Sequence, residues 1–230
     1  MSGFSDTAAL LSDPARAAML LTLMDGRSLP AGQLAMIAGI APQTASSHLA
    51  KLVSGRLLAL ERQGRHRYYC LASIHVAHAI ESVLAITPRP DVPSLLKPPR
   101  SADGLDFART CYSHLAGRLA VEIADALKRK RLIVTDGPKR YKLTKSGRDW
   151  IENFGIVISP SQAARSRFAY PCLDWTERRH HIAGDLGAAL LKRLAELRWI
   201  APLRDSRAVR VTVTGQEQLA RLLDIKTLSR

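Results

Sequence analysis

Residues 42–71 read PQTASSHLAKLVSGRLLALERQGRHRYYCL, and two patterns in that stretch decide the fold. Pro42 suits the first helical position and Gly55 a helix end, so together they bound a helix. Within it Ala45, Leu49, Leu52 and Val53 recur on one side, while Gln43, Ser47 and Lys51 fall four apart on the other with Thr44 beside them. The segments 57–62 and 67–71 then read as strands around Gln63-Gly64-Arg65-His66, a short polar connection with glycine that predicts a hairpin. Upstream, Asp13-Pro14 supplies an N-cap and a first-turn proline for a helix closed at Gly26. A second helix fits Pro30 to Ala38 and ends at Gly39. Two brief helices joined by a short turn and followed by a basic hairpin form a winged helix-turn-helix.

The polar residues on these elements suit DNA. Gln43, Thr44, Ser46, Ser47, His48 and Lys51 are the candidate groove-reading set: Gln fits adenine edges, Ser and Thr either base or phosphate, Lys guanine or phosphate. Arg62, Arg65, His66 and Arg67 crowd the hairpin, where three arginines repel one another unless they share an anion. Every amphipathic helix has a solvated face, so the helix alone does not decide the matter; helix and hairpin together predict a double-stranded DNA partner.

Composition sets the outer bounds. The 230 residues fit one large domain or two small ones, and 47% hydrophobic with 23% charged residues is enough to bury a core. No apolar run reaches the roughly 18 residues of a transmembrane helix. The start, MSGFSDTAALLSD, has no basic region ahead of an apolar one; no signal peptide, no membrane and a cytoplasmic location are expected. Three cysteines, none spaced as CxxC, exclude a disulfide framework, a zinc ribbon and a Cys2His2 finger. The net charge of +14 favours a polyanionic partner. Yet residues 1–86 carry seven Lys/Arg against five Asp/Glu, while residues 105–230 carry twenty-four against thirteen. Bulk charge alone would point at the wrong end of the chain. There is no Gly-rich phosphate loop, no GxSxG and no HExxH, so an enzyme is not expected.

Residues 8–86 also resemble the ArsR/SmtB family of winged-helix repressors through DPARAAML (13–20), GQLA (32–35), SSHLAKL (46–52), Gly55 ahead of Leu57-Leu58, and RQGRHRYYCL (62–71). The resemblance points to the cadmium/lead-sensing branch. The resemblance implies a homodimer packed through terminal helices, bound to an inverted-repeat operator until an inducer releases it. The metal sites that the family carries do not transfer. The helix before the recognition helix, PAGQLAMIAG, lacks the Cys-x-Cys pair; Lys51 and Gly55 stand where the cadmium/lead branch has cysteines; of the zinc branch's Asp, two His and Glu, only His75 remains, with Ser73, Ile86 and Arg89 elsewhere. His75, His78 and Glu81 lie at helical spacing and read as a polar helix edge, and Cys70 as a half-buried structural thiol.

Thr87 to Ser101, TPRPDVPSLLKPPRS, holds five prolines and reads as a semi-rigid linker. The expected organisation is therefore a DNA-binding and dimerisation domain over 1–86, a linker over 87–103 and an effector domain over 104–230. That last part compares with itself: Phe107, Cys111 and the run His114 to Gly117 match Phe168, Cys172 and the run His181 to Gly184, with six extra residues between Cys and His in the second copy. Each copy, about 105–155 and 166–225, is expected to be a long helix, a hairpin and a second helix, giving a mainly α chain with small β-hairpins, an α+β fold. The stripe Ala108, Tyr112, Leu115, Leu119 and Ile123 marks the first long helix, and Ile182, Leu186, Leu190, Leu194 and Leu197 the second. Thr144 and Thr212 sit as N-caps of the helices after the hairpins, and Lys128 to Arg131 close the first long helix. The tail further resembles a "CYxHLAG" extension carried by a subset of these repressors. Cys111, Tyr112, His114, Cys172, Trp175 and His181 are its candidate effector residues. If the copies face each other, Cys111, His114, Cys172 and His181 converge on a soft metal; thiol switching, an organic ligand against Tyr112, Trp175 or Trp199, and plain core packing are the alternatives. DNA binding itself calls for no cofactor. A ligand-independent architectural DNA binder is the other function.

Overall fold

The computed structural model describes residues 2–64, 66–87, 104–204 and 206–225. Arg65 and nearly all of the proline-rich segment lie outside them. The chain separates into two compact units, one of residues 1–101 with 204–206 and one of residues 102–203 with 207–230.

The N-terminal unit runs α1 (Ser2–Leu11), α2 (Pro14–Thr22), β1 (Leu29–Pro30), α3 (Ala31–Ala38), α4 (Pro42–Ser54), β2 (Leu58–Gln63), β3 (His66–Leu71) and α5 (Ile74–Ile86). Asp13 caps α2 by accepting the Arg16 amide, and Pro14 stands in its first turn. Gly39 ends α3 in the left-handed region, at φ 65°, and so lets α4 start three residues on. Ala45, Leu49 and Leu52 from α4 join Met19, Leu20, Leu34 and Leu58 in one buried cluster. The strands align in the order β1-β3-β2. The ladder runs one pair further toward the tip than the sequence indicates, because Gln63 pairs with His66, and it begins at Leu58 and not at Leu57. Two elements had no signal strong enough to place them: α1, and β1, whose two residues pair with Tyr68 and Tyr69.

The C-terminal unit corrects the expected architecture. Residues 107–117 are a hairpin, β4 (Arg109–Cys111) and β5 (His114–Ala116), not the start of a long helix; α6 begins only at Arg118 and ends at Arg129. The second copy repeats this with β8 (Tyr170–Leu173), β9 (His180–Ala183) and α9 (Gly184–Glu196). Gly117 has φ 84°, and a Cβ there would stand 2.8 Å from the Phe107 carbonyl, so the chain turns into the helix at that glycine. Pro171 bars a helix in the second copy for its own reason. After each helix comes a second hairpin, β6 (Ile133–Thr135) with β7 (Tyr141–Leu143) and β10 (Ile200–Pro202) with β11 (Val209–Val211). Each copy then closes on a helix, α7 (Lys145–Asn153) or α10 (Val213–Leu223), capped by Thr144 or Thr212 as the sequence predicts; the short α8 (Pro160–Ala163) lies between the copies.

The two copies interlock reciprocally. Tyr141 N donates to Ala169 O and Val209 N to Ala108 O, both at 2.9 Å, which are the same bond seen from each copy. Helix α6 packs against β9 and α9 against β5. A single core containing Leu119, Ile123, Leu127, Leu186, Leu190 and Leu194 results.

Candidate nucleic-acid interface and metal-ligating cluster

Helix α4 divides its polar residues between two jobs. Gln43, Thr44, Ser46, Ser47 and Lys51 are exposed. His48 is not on that face: it is half-buried, with Nδ1 3.2 Å from an Arg16 guanidinium nitrogen and 3.8 Å from Asp13. Arg16 also donates to the Leu10 and Ala9 carbonyls at the end of α1, so one guanidinium joins α1, α2 and α4. The Arg16 amide first, helped by the Arg16 and His48 charges, holds the Asp13 carboxyl below its ordinary range against the effect of burial. This explains the run DPARAAML as a structural device.

In the wing, Arg62 and Arg67 are exposed and directly opposite each other across the ladder. Like charges in that register are destabilising unless an anion lies between them. They share a sheet face with Leu58, Tyr69 and Leu71, which pack on the helical core, so they extend the helix-bearing side of the sheet past the edge of the core. His66 is exposed at the turn. Glu61 does not neutralise the pair; it accepts from Ser28 at 2.8 Å and lies 3.4 Å from the Cys70 sulfur. Burial, then Glu61, pushes the Cys70 thiol up, the state of an inert structural cysteine.

The C-terminal unit gathers the residues singled out by the repeat. Cys111 and His114 are ladder partners in the first hairpin, and Cys172 and His181 in the second. Their neighbourhood is set by β-pairing, not by helical spacing as the sequence suggests. The ligating atoms of all four lie within 4.8 Å of one another, and the two histidine Nε2 atoms are 3.1 Å apart. Cys111, His114 and His181 are buried and Cys172 is partly exposed. No disulfide joins the cysteines.

Behind His181 lies Asp174, fully buried, with Oδ2 3.4 Å from His181 Nδ1. The same oxygen accepts from Arg109 at 2.9 Å and from the Gly117 amide at 2.7 Å, while Oδ1 accepts from the Thr176 and Glu177 amides. Burial by itself would raise the Asp174 pKa, but His181, Arg109, Thr176 and Gly117 together hold it far below the carboxylate range. Burial likewise opposes the charged form of His181, and Asp174 and Cys111 more than offset it, so its pKa is raised. The weight of Asp174 and Arg109 was the main feature missing from the sequence-derived set; an acid two residues after the repeated cysteine was the available signal.

The aromatic candidates do not share a platform. Tyr112 is 61% exposed at the hairpin turn, Trp175 lies under the Arg109 guanidinium at 5.1 Å, and Trp199 is buried against Phe154. A cavity of about 20 Å³ between the copies, lined mainly by the apolar side chains of Leu115, Ile123, Ile182 and Leu190, has room for one water. On α5, His75 is exposed, His78 half-buried and Glu81 buried.

A three-helix core with a basic antiparallel wing is the winged helix-turn-helix class. Comparison with known proteins agrees: residues 11–61 match the family profile described as a helix-turn-helix domain. Over 217 residues the chain is 45% identical to an uncharacterized HTH-type transcriptional regulator of Bacillus subtilis, YdfF, across 94% of this chain and 95% of that one. It is also similar to the HTH-type transcriptional regulator CmtR of Mycobacterium tuberculosis, 33% identical over 94 residues, which are 41% of this chain and 79% of CmtR. The chain belongs to the HTH-type transcriptional regulators. Among solved structures, the homodimeric winged helix-turn-helix DNA-binding domain of a possible ArsR-family regulator from Mycobacterium bovis is 26% identical, with a TM-score of 0.35 over 37% of this chain and 78% of that one.

Proposed function

We propose that this protein is a homodimeric, sequence-specific DNA-binding repressor of the cytoplasm, not an enzyme, which holds an inverted-repeat operator through α4 and the β2–β3 wing. An inducer bound by the C-terminal unit releases it. In this reading residues 1–86 bind DNA and dimerise, 87–103 link, and 104–230 sense. The observation that carries it is the pairing of an exposed Gln43-Thr44-Ser47-Lys51 face with two arginines set opposite each other on the wing. The first suits base edges and the second phosphates.

Dimerisation draws support from apolar residues left at the ends of the unit: Phe4 of α1 and Ile86 of α5 are more than 80% exposed. In a two-fold dimer each copy offers one α4, and half-sites then fall about one helical turn apart.

Selection of the purified full chain on a randomised duplex library tests this. The expected product is an enriched inverted repeat with half-sites about 10 base pairs apart, bound with a steep salt dependence. Failure to enrich any sequence overturns the repressor reading.

A further inference from the structure

We infer that Cys111, His114, Cys172 and His181 are the four ligands of one divalent metal ion of the zinc class, held where the hairpins β4–β5 and β8–β9 meet. Each hairpin offers one Cys–His pair at directly opposed ladder positions. A tetrahedral site with bonds of about 2.0–2.3 Å places neighbouring ligands about 3.3–3.8 Å apart. The four ligating atoms already lie within 4.8 Å, so small side-chain rotations complete the geometry.

The surroundings of the ligands favour an ion. The Asp174 carboxylate lies 3.4 Å from His181 Nδ1, and its charge favours the proton on that nitrogen, which leaves the Nε2 lone pair for a metal. His114 turns its own Nε2 to the same point, 3.1 Å away. Two apposed buried imidazole nitrogens flanked by two sulfurs form a donor set of soft and borderline character, which suits zinc or cadmium and not calcium or magnesium. Charge balances too. A divalent ion with two thiolates and two neutral imidazoles is neutral overall, and the adjacent Arg109–Asp174 pair is already compensated at 2.9 Å. The partial exposure of Cys172 gives the ion a way in. The site shares no position with those that the ArsR/SmtB resemblance implied.

Ion binding stands apart from the repressor reading; only its regulatory use rests on that reading. The full chain, purified without an affinity tag and stripped of metal, is titrated with Zn(II) against a chromophoric chelator and separately with Co(II). The expected result is one ion per chain, with the strong visible bands of tetrahedral cobalt and a thiolate-to-cobalt charge-transfer band. Cys111→Ser, Cys172→Ser and His181→Gln should each lose those bands and weaken Zn(II) by about 100-fold or more, beyond the 10–100-fold of a lost outer partner. Cys70→Ser should leave binding unchanged. Far-UV and near-UV circular dichroism of the metal-free variants shows that each remains folded; Asp174→Asn gives a second handle, keeping the bands with affinity lowered about 10–100-fold. Pale octahedral cobalt, absence of one-to-one binding, or an equal loss in Cys70→Ser overturns the site. Operator binding by the same metal-free protein reads the repressor proposal separately, so the two fail independently.

Discussion

His48 and Lys51 lie one turn apart on one helix and do opposite work. His48 is held by Arg16 and Asp13 inside the unit, and Lys51 stands in solvent at the end of the exposed polar face. Replacing His48 by alanine removes a partly buried contact and should lower stability by about 1 kcal/mol in urea unfolding, leaving the salt dependence of operator binding unaltered. Lys51→Ala should do the reverse. Its stability should change by less than about 0.5 kcal/mol, while the slope of log K against log salt falls by about one if Lys51 meets a phosphate. Sequence spacing placed Gln43, Ser47 and Lys51 correctly because a 3.6-residue period settles which face a side chain occupies. It could not separate His48 from them. That residue sits at the border of the polar arc, and its direction is decided by Arg16, thirty-two positions away.

At the scale of elements, legibility followed the turns. Asp13-Pro14, Gly39, Pro42, Thr144 and Thr212 each act through local backbone chemistry, and each helix boundary they mark was readable. The hairpins β4–β5 and β8–β9 were misread because Ala108, Leu115, Leu119 and Ile123 mimic a helical stripe across two different elements. Gly117 and Gly184 were the markers against it. Both have φ 84° and both would put a Cβ within 2.8 Å of backbone carbonyls. Gly117→Ala therefore meets strain and collision together, since the Phe107 carbonyl it strikes also accepts the Leu119 amide that starts α6. A loss of about 3–4 kcal/mol is expected. Gly39→Ala, at φ 65° with nothing within 4 Å, should cost only about 1–2 kcal/mol from the left-handed backbone. Thermal melts of the two variants check the contrast, and equal losses would mean that the carbonyl contact at Gly117 is readily relieved.

For the whole molecule, the proposed function raises the question of how a ligand in one unit could govern DNA held by another. The twofold arrangement of the C-terminal copies suggests an answer in the reciprocal bonds Tyr141–Ala169 and Val209–Ala108, which tie the start of each Cys–His hairpin of the pair to the second hairpin of the other copy. An ion joining Cys111 and His114 to Cys172 and His181 would tie that pair by four further bonds. Any effect on the operator then requires that the metal-bound and metal-free dimers differ in affinity for DNA, and thermodynamics makes the effect mutual. If Zn(II) weakens operator binding by some factor, saturating operator must weaken Zn(II) by the same factor, about 5–150-fold for ordinary coupling energies. Two titrations measure it: operator anisotropy with and without metal, and chelator competition with and without operator. Matching factors above unity make the ion an inducer. A factor of one in both directions makes it a structural ion of the effector unit, and the search for the inducer then turns to other chemistry. Unequal factors point to a third state, such as monomer, whose population changes along one of the two titrations.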